Sequence, residues 1–179
     1  MDMVKRWRRL DEPGFEILHF KQTAHGVEVV SNLTFGGEPS FALGYEWVLD
    51  ASWGTRTLTL EVAGPTKRVV KIERMGDTSW SVDGVAREDL NGCHEVDVSA
   101  TPFCNGLAIR RLGGHSGEIT ALYVIAPELS LEPSRQRYER RGDRRWGYID
   151  LGAVKGFEAD LELDEDGIVR RYEGLFEGF

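Results

Sequence analysis

Four side chains with metal-ligand chemistry, Cys93, His94, Cys104 and His115, fall in one stretch of the chain. With no Cys-x2-Cys or His-x3-His pair among them, the spacing fits no structural zinc site, and they read as core thiols and surface imidazoles. Asp164-Glu165-Asp166-Gly167 opens like a calcium loop, which needs a bidentate glutamate eleven residues after its first ligand. That position is Leu175, so the run reads as a hairpin turn. No metal and no cofactor is expected. There is no Gly-x-Ser-x-Gly elbow, no glycine-rich phosphate loop, and no signature around Cys104 that would lower its pKa. Triad chemistry and nucleotide cofactors are therefore not indicated.

What remains is a set of polar groups that a β-barrel could aim inward: Asp50, Trp53 and Arg56 around one turn, Arg110-Arg111 on a short helix, and Gln136, Tyr138 and Tyr148 on later strands. In a barrel with spare volume such groups fix a ligand's polar end while aromatic rings hold its apolar part. The plainer role is structural: Asp50 pairs with Arg56 across the turn, and one arginine pins the helix to the sheet. Adjacent helical residues point about 100° apart. Arg110 shares the stripe of Phe103, which makes it the ligand contact and Arg111 the brace. A further alternative makes Asp50 the base of a small isomerase or hydrolase, with Tyr138 or Arg110 stabilising charge; it requires a carboxylate of raised pKa inside a pocket. Arg135, Arg137, Arg140, Arg141, Arg144 and Arg145 read as a solvated face, with an anion-binding rim as the sharper alternative.

The elements that must position these groups are strands. Phe41, Leu43, Tyr45, Trp47 and Leu49 alternate with Ala42, Gly44, Glu46, Val48 and Asp50, which gives a strand with a heavy aromatic face. After the turn, Arg56, Leu58, Leu60 and Val62 share one face of its hairpin partner. Similar runs follow at 15–20, 26–31, 68–74, 79–82, 94–100, 118–126, 135–140, 146–151, 157–163 and 168–173. Asp83-Gly84 and Asp166-Gly167 are hairpin-turn dipeptides. Thr101-Pro102 offers a helix start and Gly113-Gly114 a stop, so a short helix is expected over about 102–112. A dozen short strands and one or two short helices imply a mainly β chain, a single antiparallel sheet curled into an incomplete, open barrel, with a β-sandwich as runner-up. Strand should exceed about 40% of the chain, above the usual share, with Phe41, Tyr45, Trp47, Leu58 and Leu60 in the core. Stretches 45–50 and 148–150 hint at a weak duplication.

The chain's 179 residues suit one domain, 1–179. Its 22 basic and 30 acidic residues leave a net charge of −8, which argues against phosphate-neutralising nucleic-acid binding. No run of about 18 apolar residues suggests a transmembrane segment, and the basic N-terminus lacks the apolar stretch of a secretory signal, so a cytoplasmic location is expected. Two cysteines in a reducing compartment imply no disulfide.

The stretch Asp89-Leu90-Asn91-Gly92-Cys93-His94-Glu95-Val96-Asp97-Val98-Ser99-Ala100-Thr101-Pro102-Phe103-Cys104-Asn105-Gly106-Leu107-Ala108-Ile109-Arg110-Arg111-Leu112 resembles the signature of the bacterial "putative glycolipid-binding" family, once a domain of unknown function. Asp50-x2-Trp53-x-Thr55-Arg56, Pro127 with Gln136-x-Tyr138, and the closing Asp164 to Phe176 extend the resemblance over nearly the whole chain. Cys104, Gly106 and Ala108 stand where the family usually has Thr, Thr and Pro. The resemblance implies a β-rich, incompletely closed barrel like those of bacterial lipoprotein carriers. It also implies a ligand site of Asp50, Trp53, Arg56, Thr101, Asn105, Arg110, Arg111, Gln136 and Tyr138, with no catalytic residue. The expected role is that of a non-enzymatic binder of an amphipathic molecule, glycolipid-like or fatty-acyl, held in a barrel cavity with arginines near its headgroup; a solidly packed interaction module is the remaining alternative. Oligomeric state is not legible.

Overall fold

The computed structural model describes residues 2–64 and 67–179. The first eight strands are β1 (Asp2–Arg9), β2 (Gly14–Thr23), β3 (Gly26–Phe35), β4 (Phe41–Leu49), β5 (Thr55–Ala63), β6 (Arg68–Arg74), β7 (Trp80–Val82) and β8 (Val85–Ala86). A 3-10 turn (Glu88–Leu90) leads to β9 (Glu95–Val98), helix α1 (Phe103–Arg111), β10 (Gly117–Ile125), β11 (Ser130–Arg140), β12 (Arg145–Asp150), β13 (Glu158–Leu163), β14 (Val169–Tyr172) and β15 (Phe176–Gly178). All fifteen strands form one sheet in the order β8-β7-β6-β5-β4-β3-β2-β1-β15-β14-β13-β12-β11-β10-β9. Strand is 57% of the chain.

The expected mainly β, open architecture is the one observed, with one departure from an all-antiparallel sheet. β9 and β10 pair in parallel, because α1 lies between them and carries the chain back to the same end, as a parallel pair requires. β1 interrupts apolar alternation with Lys5, whose ammonium lies 2.7 Å from both Asp164 and Asp166; that inward charge hides the strand from a hydrophobic pattern. β1 joins the two halves by pairing with both β2 and β15.

The two end strands, β8 and β9, have no ladder between them, so side chains close the seam. Arg74 lies over the Trp80 ring at 4.2 Å. Its guanidinium donates to the Thr55 carbonyl (2.6 Å), the His94 carbonyl (2.9 Å) and Glu95 Oε2 (3.2 Å). Trp80 Nε1 donates to the Cys93 carbonyl at 2.9 Å. Both Glu95 oxygens also accept from the Thr55 N–H, so β5, β6 and β9 meet on one buried carboxylate.

Trp47 is fully buried, edge-on to Phe103 (5.6 Å) and Tyr45 (6.0 Å), with Nε1 donating to Thr55 Oγ1 at 2.8 Å. Tyr45, Leu58 and Leu60 are core residues as expected, whereas Phe41, at the strand end, is only partly buried beside Phe35. Alternation fails at Arg56. The register between β4 and β5 slips at Val48/Leu49, opposing Val48 to Thr57 and Leu49 to Thr55. Arg56 is the extra, unpaired residue of this β-bulge, which turns it outward and Thr55 inward. The expected Asp50–Arg56 pair is therefore absent. Asp50 Oδ1 instead accepts the N–H groups of Ser52 (2.8 Å) and Gly54 (3.0 Å), holding a turn in which Trp53 takes φ +66°.

α1 starts where Thr101 Oγ1 accepts the Phe103 N–H (3.2 Å). It ends where Gly113, at φ +63°, and Gly114 donate to the carbonyls of Arg110 and Ile109. Residues 103–109 are all buried, since the helix fills the concavity of the sheet. Gly106 allows this: a Cβ there would stand 2.8 Å from the Gly167 carbonyl.

Trp47→Ala is expected to lower unfolding stability by about 3–5 kcal/mol in denaturant titration; wild-type stability would reverse the face assignment. Arg74→Met should cost about 3–5 kcal/mol because it strands a buried carboxylate. Combined with Glu95→Gln it should cost less than the sum, and additivity within about 0.5 kcal/mol would mean the seam does not depend on their pairing.

Candidate functional site

Inside the concavity the polar groups form a connected line from the first half of the sheet to the second. Glu16 Oε1 accepts from Ser31 Oγ (2.7 Å) and Tyr45 OH (2.6 Å), and Tyr45 OH lies 3.4 Å from Thr101 Oγ1 at the start of α1. On the far side of that turn, the Cys104 thiol donates to Asp97 Oδ1 at 2.8 Å and Gln136 Nε2 donates to Asp97 Oδ2. Asn105 Nδ2 donates to Tyr138 OH (3.0 Å), which donates to Gln136 Oε1 (3.1 Å). Cys104 thus supplies a hydrogen-bond donor to the buried Asp97 carboxylate.

Beside this line opens a pocket of about 200 Å³, lined by Tyr123, Tyr148, Phe157, Tyr172 and Phe176, with Asp97, Asp150, Thr101 and Asn105 as its principal polar groups. Tyr148 organises the rings, at centroid distances of 5.4 Å to Tyr138, 5.9 Å to Tyr172 and 6.2 Å to Phe157. Period two on β12 puts Tyr148 and Asp150 on one face. Asp150 Oδ2 accepts from Tyr148 OH (3.3 Å) and Oδ1 from the Gly152 N–H (2.7 Å). This is the same turn chemistry as Asp50 with Ser52.

Electrostatics in this region run one way. Burial raises the Asp97 carboxyl above its usual range, with the Cys104 and Gln136 donors opposing the rise. Burial, then the Asp97 charge, pushes the phenols of Tyr123, Tyr148 and Tyr172 well up, and the Cys104 thiol likewise. Burial takes Glu16 up to about 7 despite its hydrogen bonds, and its Oε2 has no partner.

The nine residues expected to form one site are divided between the two ends of α1. Thr101, Asn105, Gln136 and Tyr138 come together at the N-terminal end; Thr101 and Asn105 line the pocket, and Gln136 and Tyr138 belong to the connected line of hydrogen bonds beside it. Asp50, Trp53, Arg110 and Arg111 lie toward the C-terminal end, and Arg56 faces away on its bulge. Arg110, expected to meet ligand, is stacked on the Trp53 ring at 4.2 Å and donates to the Asp166 carbonyl, while Arg111 reaches Asp77. Both arginines therefore brace the helix. Asp50, the candidate base, is occupied by its turn. The arginines of β11 and the loop after it are largely paired: Arg135 and Arg137 with Glu118, Arg141 with Asp160.

Sequence reasoning missed Asp97, Asp150, Tyr123, Phe157, Tyr172 and Phe176. The Tyr148–Asp150 alternation signalled Asp150, and Asp97, Tyr172 and Phe176 lie inside the stretches that carry the family resemblance; nothing local marked Tyr123 or Phe157, which join the others only through the tertiary fold. Among the described residues no group of three or more potential ligands could hold a metal ion, and no helix is long and apolar enough to cross a membrane.

The profile of the family described as "Putative glycolipid-binding" matches residues 4–178. A crystal structure of a DUF1089 family protein from Pseudomonas aeruginosa superposes with a TM-score of 0.80 at 31% identity, covering 90% of this chain and 91% of that one. None of the curated proteins matches the chain.

The Glu16 shift carries a pH dependence. Its folded pKa, about 7, lies above the ordinary 4.5, so its stabilising contribution is complete below pH 4.5 and is lost as pH rises through 7. Relative to Glu16→Gln, the wild type should lose up to about 3 kcal/mol of unfolding stability between pH 4.5 and 8. Parallel pH–stability curves would show that Glu16 is not held protonated.

Proposed function

The chain belongs to the family described as "Putative glycolipid-binding", and from that premise we propose that it is a non-enzymatic binder of an amphipathic, glycolipid-like molecule whose polar head enters the aromatic pocket. The observation that carries this reading is the pocket's composition: five aromatic rings around two carboxylates and an amide. A sugar ring offers an apolar face to aromatic side chains and hydroxyl donors to carboxylate acceptors.

The size of the pocket limits the reading. About 200 Å³ is below the roughly 300–1,000 Å³ usual for drug-sized ligands, so a headgroup is accommodated and a long acyl chain is not. The aromatic face of β4, expected to hold the tail, is spent on packing against Phe103. The tail therefore emerges past Val154, Phe157 and Leu175, which are among the pocket's less buried lining residues.

The full burial of Trp7, Trp47, Trp80 and Phe103 in the rest of the interior supports a second reading, an interaction module without a small ligand. Titration with octyl β-glucoside below its micellar concentration, followed by tyrosine and tryptophan fluorescence, separates the two. Saturable binding is expected, weakened about tenfold by Phe157→Ala, the equivalent of about 1.4 kcal/mol. Absence of saturable binding, or an unaffected variant, would favour the module.

A further inference from the structure

We infer that the pocket selects a head bearing an organic ammonium group, a protonated amine or a quaternary nitrogen, over neutral and anionic heads; this rests on the reading that the pocket receives the headgroup. Its lining contains Asp97 and Asp150 but no lysine, arginine or histidine. Five aromatic rings line a space of about 200 Å³, and an aromatic face attracts a cation most strongly where water is excluded.

The two carboxylates are not equivalent. Asp97 sits against the first turn of α1, where the Cys104 thiol reaches it, so the positive end of the helix already answers part of its charge. The Phe103 N–H of the same turn is taken by Thr101, which leaves that donor unavailable to an incoming anion. Asp150, at the end of β12, is 4% exposed, and its partners among the described residues are the Tyr148 hydroxyl and the Gly152 N–H. Its hydrogen bonds are satisfied without a cation, yet each oxygen retains acceptor capacity. An ammonium ion in the pocket would supply the missing counter-charge. A phosphate, sulfate or carboxylate head would be desolvated beside two carboxylates, which is unfavourable at any contact distance in a poorly solvated site.

The arginines that could attract an anionic head lie elsewhere, stacked on Trp53 (Arg110), bonded to Asp77 (Arg111) or paired along the outer strands.

The test uses octyl amphiphiles whose heads differ in charge, titrated below micelle formation at pH 6.5 and low salt: octyl 2-amino-2-deoxy-glucoside, octyl glucoside and, as the anion, octyl sulfate. The amino-glucoside should bind about tenfold or more tighter than the neutral glucoside, and octyl sulfate weakest. Asp150→Asn, which retains an acceptor for Gly152, should remove most of that preference, read as the ratio of amino-glucoside to glucoside affinity within the variant. Should the variant unfold, the wild-type protein still decides. Choline should displace the amino-glucoside, and 3,3-dimethylbutan-1-ol, its uncharged isostere, should not. Equal affinity for the neutral and amino glycosides, tighter binding of the sulfate, or equal competition by choline and its isostere would overturn the cation preference and leave the headgroup reading standing. If none of the three amphiphiles binds, the headgroup reading itself falls and the preference with it.

Discussion

The fold depends on how an unclosed sheet seals its seam. Fifteen strands curl round one interior, but β8 and β9 do not pair, and a missing ladder would leave backbone groups and core side chains open to water. Arg74 replaces the ladder. Its guanidinium lies over Trp80, and its donors reach the carbonyls of Thr55, Asp77 and His94 and the Glu95 carboxylate, a fork geometry that lysine could not reproduce. With the seam fixed, β9 is positioned to pair in parallel with β10, and α1 is held inside the concavity between them.

A second regularity follows from that enclosure. Glu16, Glu95, Asp97 and Asp150 are all buried. Of these only Glu95 has a guanidinium partner. The others are satisfied by hydroxyls, a thiol, an amide or backbone N–H groups. The arginines expected around a ligand lie at the C-terminal end of α1, where Arg110 stacks on Trp53 and Arg111 reaches Asp77. The pocket side of the interior is thus acidic and aromatic, with no lysine, arginine or histidine in the pocket lining, whereas the enclosed cations Lys5 and Arg74 are held in ion pairs away from it, and any ligand reading must respect that sign. The same enclosure limits size: the large rings Trp7, Trp47, Trp80 and Phe103 are fully buried, and the space beside the polar line is that of a headgroup.

The sequence determined the local elements, because strand alternation and turn chemistry act over a few residues. β4 and β6 have the bounds that periodicity alone predicts, the Asp83-Gly84 and Asp166-Gly167 turns carry positive φ at their glycines, and the helix lies within a residue of its expected ends. The family motif also brought Thr101, Asn105, Gln136 and Tyr138 to notice, and these four do meet. Tertiary structure decided the rest. A single bulge reversed Arg56 and dissolved its expected pairing with Asp50. An inward Lys5 disguised β1, since its partners Asp164 and Asp166 lie about 160 residues away. The aromatic pocket gathers side chains from β9, β10, β12 and the C-terminal strands. No local period encodes such a meeting, because it is set by which strands become neighbours when the sheet curls.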